Sequence, residues 1–114
     1  MLTINRKQIA PDIDVLEIGG RITLGRECRD VEWKLEDLIK ENRRRIIFDL
    51  TGVNHVDSTG VGILVTCYGK VKHAGGELRL AGVQEPVAKV LHMTQVDKVI
   101  HLYPTLEDAS AGFK

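Results

Sequence analysis

The sequence lacks three features that would mark whole classes of proteins. Its two cysteines, Cys28 and Cys67, lie far apart without CxxC spacing, which is typical of a reduced cytoplasmic protein. Neither sign of charge is in excess, because 16 basic side chains balance 16 acidic ones. Nucleic acids and anionic membrane surfaces attract a basic surplus, so we expect neither as a partner. No apolar run approaches the roughly 20 residues of a membrane-spanning helix, and the charged opening is unlike a signal peptide.

Residue patterns of the common catalytic sites are also missing. The four histidines have neither HxxH nor HExxH spacing, and the two cysteines do not complete a zinc site. There is no P-loop and no GxSxG motif. Gly60 and Gly62 form only the first half of a dinucleotide-binding GxGxxG motif, because Val65 stands where its third glycine would be. We therefore predict no catalytic residue, no metal site and no cofactor, and we expect that the chain is not an enzyme.

What remains is the pattern of an α/β protein. A length of 114 residues with 43% hydrophobic side chains predicts one domain over residues 1–114 with its own core. Alternating side chains predict a strand over residues 2–8 and a second strand over residues 14–18, ended by Gly19-Gly20. Apolar residues at helical spacing predict a helix over residues 27–42.

The second half of the chain alternates helices with strands. Residues 46–50 are apolar on both faces, as in a central parallel strand, and a loop is expected over residues 51–56. The order predicts a mostly parallel sheet with an antiparallel N-terminal edge strand and about four helices. The further predicted elements are a helix opened by Asp57-Ser58 with an apolar stripe (Val61, Leu64, Val65, Tyr68, Val71), a strand over residues 77–81, a helix opened by Pro86, a strand over residues 99–102, and a helix after Pro104 whose Thr105 and Asp108 have capping-box-like spacing.

The segment from Val56 to Gly62 is the strongest candidate site, because ligand sites in such sheets lie beyond the C-terminal ends of the strands. One interpretation is structural: Asp57 or Ser58 accepts hydrogen bonds from the free N–H groups of the first helical turn. It leaves the two glycines unexplained, since each costs about 1 kcal/mol relative to alanine inside a helix. Glycine allows a close approach to the backbone. The other interpretation is a phosphate-accepting Ser58, because a helix N-terminus favours negative charge.

A resemblance bears on this choice. The run IIFDLTGV at residues 46–53, followed by VDSTGVG at residues 56–62, resembles the signature of the STAS domain. More narrowly, it is similar to the bacterial anti-sigma factor antagonists. Their pattern is an apolar strand ending Asp-Leu-(Ser/Thr)-Gly-Val, a short loop, and then Asp-Ser-(Ser/Thr)-Gly-(Leu/Val)-Gly. The resemblance extends over essentially the whole chain in the order and length of its elements, and it implies a STAS-type fold.

The resemblance implies a binding protein in sigma-factor regulation, located in the cytoplasm. Such antagonists bind an anti-sigma factor that is also a serine kinase with a GHKL-type ATP site, and they thereby free the sigma factor. The kinase phosphorylates the motif serine, which matches Ser58 here, and the phosphorylated antagonist lets go. A PP2C-type phosphatase restores binding. The residues expected to contact the partner are Thr23, Asp57, Ser58, Thr59, Gly60, Val61 and Gly62.

One residue departs from the family pattern. Thr23 stands in the loop after the second strand where members usually carry an acid thought to assist kinase recognition. Its hydroxyl can donate a hydrogen bond toward Ser58 but brings no charge. Asp49 matches the strand aspartate of the family, and we expect it to accept backbone N–H groups rather than to take part in catalysis. Trp33 falls off the apolar stripe of its helix, so it is either an exposed contact or, as we rather expect, a partly buried ring.

Other functions stay open at this point. One is a constitutive scaffold, or a subunit of a transporter or of a stressosome-like assembly, since STAS domains also serve there. Another is a ligand-binding sensor or a receiver that uses Asp49. A receiver would need an acidic pair before its first helix and a late Lys-Pro, and the sequence has neither.

Overall fold

A five-stranded sheet organises the residues that the structure describes, which are 2–25, 28–111 and 113 of the computed structural model. The strands lie side by side in chain order; β1 and β2 are antiparallel and all other neighbours are parallel. The predicted mostly parallel sheet, antiparallel N-terminal edge and four helices are therefore confirmed. The elements are β1 (Leu2–Ala10), β2 (Ile13–Ile22), α1 (Cys28–Lys40), β3 (Arg45–Val56), α2 (Ser58–His73), β4 (Glu77–Ala81), α3 (Glu85–Met93), a 3-10 turn (Val96–Lys98), β5 (Leu102–Tyr103) and α4 (Leu106–Ala111).

The central strand β3 has core on both faces. Ile46 and Phe48 pack into the larger apolar cluster, which also holds the buried side chains of α1, α2 and α3. Ile47 points to the other face, where it packs in a smaller cluster with Ala109 of α4 and Phe113. This alternation explains why the strand is apolar at every position from 46 to 48. The chain passes from β3 almost directly into α2, so a strand that is buried on both faces holds the start of this helix.

Two predicted boundaries are wrong, and both errors involve glycine. Gly19-Gly20 does not end β2, which continues to Ile22, and residues 51–56 are not a loop but the second half of β3. Gly19 pairs with Gly52 across the two strands. A Cβ on Gly52 would lie 3.2 Å from the Cα of Gly19, so glycine allows the two backbones to approach closely. The result is a longer pair of strands that carries the chain beyond the end of β4.

Smaller differences occur around α2 and β5. Val65 is 42% exposed and lies off the buried stripe of α2, which consists of Gly60, Leu64, Cys67 and Val71. The last strand begins at Leu102 rather than at residue 99, because a 3-10 turn precedes it and leaves Val99 half exposed. The capping prediction for α4 is confirmed: Thr105 Oγ1 accepts a hydrogen bond from the Asp108 N–H at 3.1 Å.

Gly60 presses the first turn of α2 against the end of β2. A Cβ at this position would lie 2.0 Å from the carbonyl oxygen of Ile22 and 2.9 Å from Val56 Cγ1. The close approach that the glycine allows is therefore made within the chain. Gly62, one half-turn further on, is exposed, and no atom of the described residues lies within 4 Å of its Cβ position.

The two glycines of this turn should respond to alanine in opposite directions. We expect Gly60→Ala to lower the free energy of unfolding by about 2 kcal/mol, because the methyl group forces the helix away from β2. Gly62→Ala is the matched control and should raise it by up to about 1 kcal/mol through better helix propensity. Urea denaturation followed by circular dichroism measures both. A neutral or stabilising Gly60→Ala would contradict the close contact.

Candidate functional site

Asp57 joins the start of α2 to the loop that follows β2. As the residue before the helix, it accepts a hydrogen bond through Oδ1 from the Gly60 N–H at 2.9 Å. Its second oxygen, Oδ2, accepts another from the Leu24 N–H, also at 2.9 Å. The Asp57 N–H in turn donates to the carbonyl oxygen of Ile22 at 3.4 Å. Of the two capping residues that the sequence left open, the structure therefore selects Asp57.

These contacts also fix the charge of the site. The N–H groups of Leu24 and then Gly60 hold the pKa of the Asp57 carboxyl below its usual value, with a smaller contribution from the nearby His55 ring when that ring is charged. A carboxylate that accepts backbone N–H bonds is stabilised in its ionised form. Asp57 is thus an anion at neutral pH, directly before Ser58.

Because Asp57 caps α2, Ser58 is not needed as the cap of this helix. It is the first residue of α2 and is exposed. Within the part of the chain that the structure describes, its hydroxyl makes no hydrogen bond. A free hydroxyl at the N-terminus of a 16-residue helix is open to another protein, and an anion placed there is favoured by the helix dipole.

The remaining predicted contact residues do not all reach the surface. Thr23 lies between Ile22 and Leu24, both of which bond to Asp57, so its backbone is held beside the start of α2. Its hydroxyl makes no hydrogen bond to Ser58 among the described residues. Gly60 is buried and serves the packing described above. Thr59 and Val61 are half-buried and Gly62 is exposed, so these three remain available at the surface.

Asp49 lies at the end of the shared β3–β4 register and has the local role expected of it. Its Oδ1 accepts hydrogen bonds from the Thr51 N–H at 3.0 Å and from the Thr51 hydroxyl at 2.6 Å. The carboxylate is therefore engaged with the strand that carries it.

A groove beside Ser58 was not predicted. It has a volume of about 1000 Å³, and its lining includes Leu24, Cys28, Trp33, Thr59 and Ile63; we call it the Trp33 groove. Of the two alternatives for Trp33, the structure favours the exposed one, because this residue is 57% exposed. The only signal in the sequence was that Trp33 falls between the buried positions of α1. Leu24, at 79% exposure, gave no signal because it lies in a loop.

Among the described residues, metal-binding groups do not gather at this site. In residues 2–25, 28–111 and 113, no three His, Cys, Asp or Glu side chains stand close enough together to hold a metal ion. Burial raises the pKa of the Cys67 thiol to about 12, so this cysteine stays protonated at neutral pH. Across the same residues, every helix is too short or too polar to cross a bilayer.

Comparison with known proteins identifies the family. The model of the STAS domain matches residues 6–109, and the chain therefore belongs to the STAS domain family, as its motif predicted. Among curated relatives, the anti-sigma-F factor antagonist RsfB of Mycobacterium tuberculosis is 28% identical over 105 residues, covering 90% of this chain and 82% of that protein.

Solved structures share the fold. An anti-sigma factor antagonist from Mycobacterium paratuberculosis superposes with a TM-score of 0.85 at 23% identity, covering 97% of this chain and 92% of that one. The Bacillus cell fate determinant SpoIIAA in its phosphorylated form gives 0.74 at 16% identity, covering 98% of this chain and all (100%) of that one. A sulfate transporter family protein from Wolinella succinogenes also gives 0.74, at 18% identity, with 92% and 87% covered. Antagonists and a transporter protein thus have this architecture in common.

The double hydrogen bond at Asp57 should make stability depend on pH. Asp57→Asn keeps one acceptor oxygen but loses the charge and the second oxygen, so we expect a loss of about 1 kcal/mol in the free energy of unfolding at pH 7. Because folding lowers the pKa of Asp57, its contribution is present above the unfolded value of about 3.9 and is lost as pH falls through the folded value.

Urea denaturation of both proteins from pH 7 to pH 3 measures this difference. The gap between wild type and Asp57→Asn should close toward the acid end of the series. Asp30→Asn is the control, since Asp30 is exposed and its carboxylate makes no bond to the described residues. A gap that stays constant over the whole range would show that the ionised carboxylate is not what stabilises the junction.

Proposed function

We propose that this chain is an anti-sigma factor antagonist whose binding to an anti-sigma factor is switched by phosphorylation of Ser58. One observation supports the proposal: the two neighbouring residues have different roles. Asp57 caps α2, whereas the Ser58 hydroxyl is exposed and makes no hydrogen bond to the described residues. The names of the relatives support the class of function.

In the unmodified state the partner docks over the start of α2. Ser58 is small and uncharged, and Thr59, Val61 and Gly62 are at least partly accessible around it. Thr23 lies in the adjacent loop, held by the hydrogen bond between Leu24 and Asp57. The partner is an anti-sigma factor with a GHKL-type serine kinase domain, and its sequestration frees a sigma factor.

Phosphorylation then reverses the interaction through charge. The Ser58 hydroxyl oxygen attacks the γ-phosphorus of ATP bound to the kinase; the bond to the ADP oxygen breaks, and the hydroxyl proton passes to a base on the kinase. The chain itself supplies only the acceptor. The product carries roughly −1.5 to −2 charges at neutral pH, next to the ionised Asp57.

The fold tolerates this phosphate better than the complex does. At the N-terminus of α2 the helix dipole stabilises an anion by about 0.3–1 kcal/mol. An acidic group of the partner about 6 Å away would be repelled by roughly 4 kcal/mol at an effective dielectric constant of about 20. That repulsion corresponds to about a thousandfold loss of affinity before screening by salt. A PP2C-type phosphatase removes the group and restores binding.

We further propose that residues 1–114 act as one binding domain without catalytic residues or a cofactor. A second candidate function is constitutive binding, as a scaffold or a transporter subunit. Thr23 favours it, because the loop lacks the acid usual in the switched antagonists, and so does the fold shared with a transporter protein. The two functions differ in whether modification of Ser58 changes affinity.

Variants of the two serines in the sequence test the switch. Ser58→Ala should bind the anti-sigma factor as wild type does and should accept no phosphate, whereas Ser110→Ala, on α4, should still be phosphorylated. Ser58→Asp should fold normally but bind more weakly, by about tenfold or more, because a carboxylate carries part of the charge of a phosphate. Calorimetric titration and labelling with Mg-ATP measure these effects, using each GHKL-type anti-sigma factor of the source organism as the purified probe.

The same titrations separate the two candidate functions. Equal affinities of wild type, Ser58→Ala and Ser58→Asp would favour the constitutive scaffold and leave Ser58 as a surface residue. If none of the anti-sigma factors binds wild type, the antagonist function itself is wrong.

The departure at Thr23 gives a separate prediction. If an acid in this loop assists the kinase, Thr23→Asp should raise the rate of Ser58 phosphorylation, while Thr23→Asn, of similar size but uncharged, should not. Neither change should move the free energy of unfolding by more than about 0.5 kcal/mol, since the residue lies in a surface loop. Initial rates of phosphate incorporation measure the effect. Equal rates for the three proteins would show that charge at this position is irrelevant to the kinase.

A further inference from the structure

We propose that the Trp33 groove receives an uncharged apolar side chain of the same anti-sigma factor, with Trp33 and Leu24 as the contacts that carry most of the affinity. This inference rests on the proposed function, because it names a part of the docking surface that the anti-sigma factor contacts. The charge on Ser58 then determines whether the partner can dock, and the contacts in the groove determine most of its affinity.

Exposure is the first observation. Trp33 is 57% exposed on α1 and Leu24 is 79% exposed in the loop after β2, and both line one groove with Ile63 of α2. Large apolar side chains that share one exposed concavity mark an interaction surface more often than isolated ones do. Tryptophan is also the residue type most enriched among the few that dominate binding energy at interfaces. Its indole N–H makes no hydrogen bond to the described residues and can donate to a partner.

Continuity with Ser58 is the second observation. Thr59, which follows Ser58 directly, lines the groove. Leu24 is held in place because its N–H donates to Asp57 Oδ2 at 2.9 Å. The groove and the serine are therefore two parts of one surface, tied together by Asp57, and a protein that covers Ser58 has the groove alongside it.

The lining of the groove indicates which kind of side chain fits. Glu32, which also lines the groove, is paired with Lys70 at 2.6 Å, and Lys70 also contacts Glu36. Arg29 and Asp30 are adjacent and of opposite sign, and neither has an ion pair among the described residues. The described lining thus combines the apolar side chains of Leu24, Trp33 and Ile63 with charged side chains of both signs. An apolar side chain that packs against Leu24, Trp33 and Ile63 gains free energy by leaving water, whereas a charged one loses its hydration there. We therefore assign the groove to a leucine, isoleucine, methionine or phenylalanine of the partner.

Because Trp33 is the only tryptophan of the chain, a fluorine label on tryptophan reports on the groove alone. The chain labelled with 5-fluorotryptophan should show one fluorine resonance. Addition of the unlabelled anti-sigma factor that binds wild type should shift this resonance and reduce its sensitivity to exchange of H2O for D2O. The measurement is made on the wild-type sequence, so it does not depend on the folding of any variant.

Affinities of three variants complete the test. Trp33→Ala should weaken binding by roughly 30-fold, the range of a residue that dominates an interface. Leu24→Ala should weaken it by several-fold. Met93→Ala is the matched control: Met93 is a large apolar side chain, 71% exposed at the end of α3, and its removal should change affinity by less than twofold.

The outcomes distinguish this inference from the function on which it rests. If Ser58→Asp weakens binding but Trp33→Ala does not and the fluorine resonance stays unchanged, the switch stands and the groove assignment is overturned. A resonance that shifts with concentration of the chain alone would assign the groove to a second copy, which also overturns it. If no anti-sigma factor binds wild type, the proposed function fails, and this inference fails with it.

Discussion

The arrangement of the candidate site depends on one carboxylate. Asp57 accepts the N–H of Gly60 with one oxygen and the N–H of Leu24 with the other. The first bond starts α2, and the second fixes the loop after β2 beside it. Because Asp57 performs both tasks, the Ser58 hydroxyl makes no contact that the described part of the fold needs. Under the proposed function, this separation lets Ser58 gain a phosphate while the domain stays intact.

Much of this arrangement could be predicted from the sequence, because local signals were strong. The apolar residues before Asp49 specify the central strand, and the Asp57-Ser58 pair marks the start of a helix. The order of elements predicts the parallel sheet. The choice between Asp57 and Ser58 as the cap could not be made, since both residue types are favoured there and the Leu24 N–H that also bonds to Asp57 lies 33 positions away in the chain.

What the sequence did not reveal depends on residues far apart in the chain. Gly60 is required by the carbonyl of Ile22, 38 positions earlier, and that contact exists only once α2 lies on β2. Gly19 and Gly52 are of a residue type that usually marks a turn or loop, yet they pair with each other across two strands. The exposure of Trp33 depends likewise on which face of α1 is covered by α2. Such contacts form only when helices and strands from distant parts of the chain pack together, so a short stretch of sequence does not predict them.

The close contact between Gly60 and Ile22 has a consequence for the energetics of recognition. With its first turn pressed against β2 and its cap bonded on both sides, the start of α2 is already ordered in the free protein. The conformational entropy of this segment is therefore lost when the chain folds and not when it meets a partner. Preorganisation of this kind leaves more of the contact energy to appear as affinity.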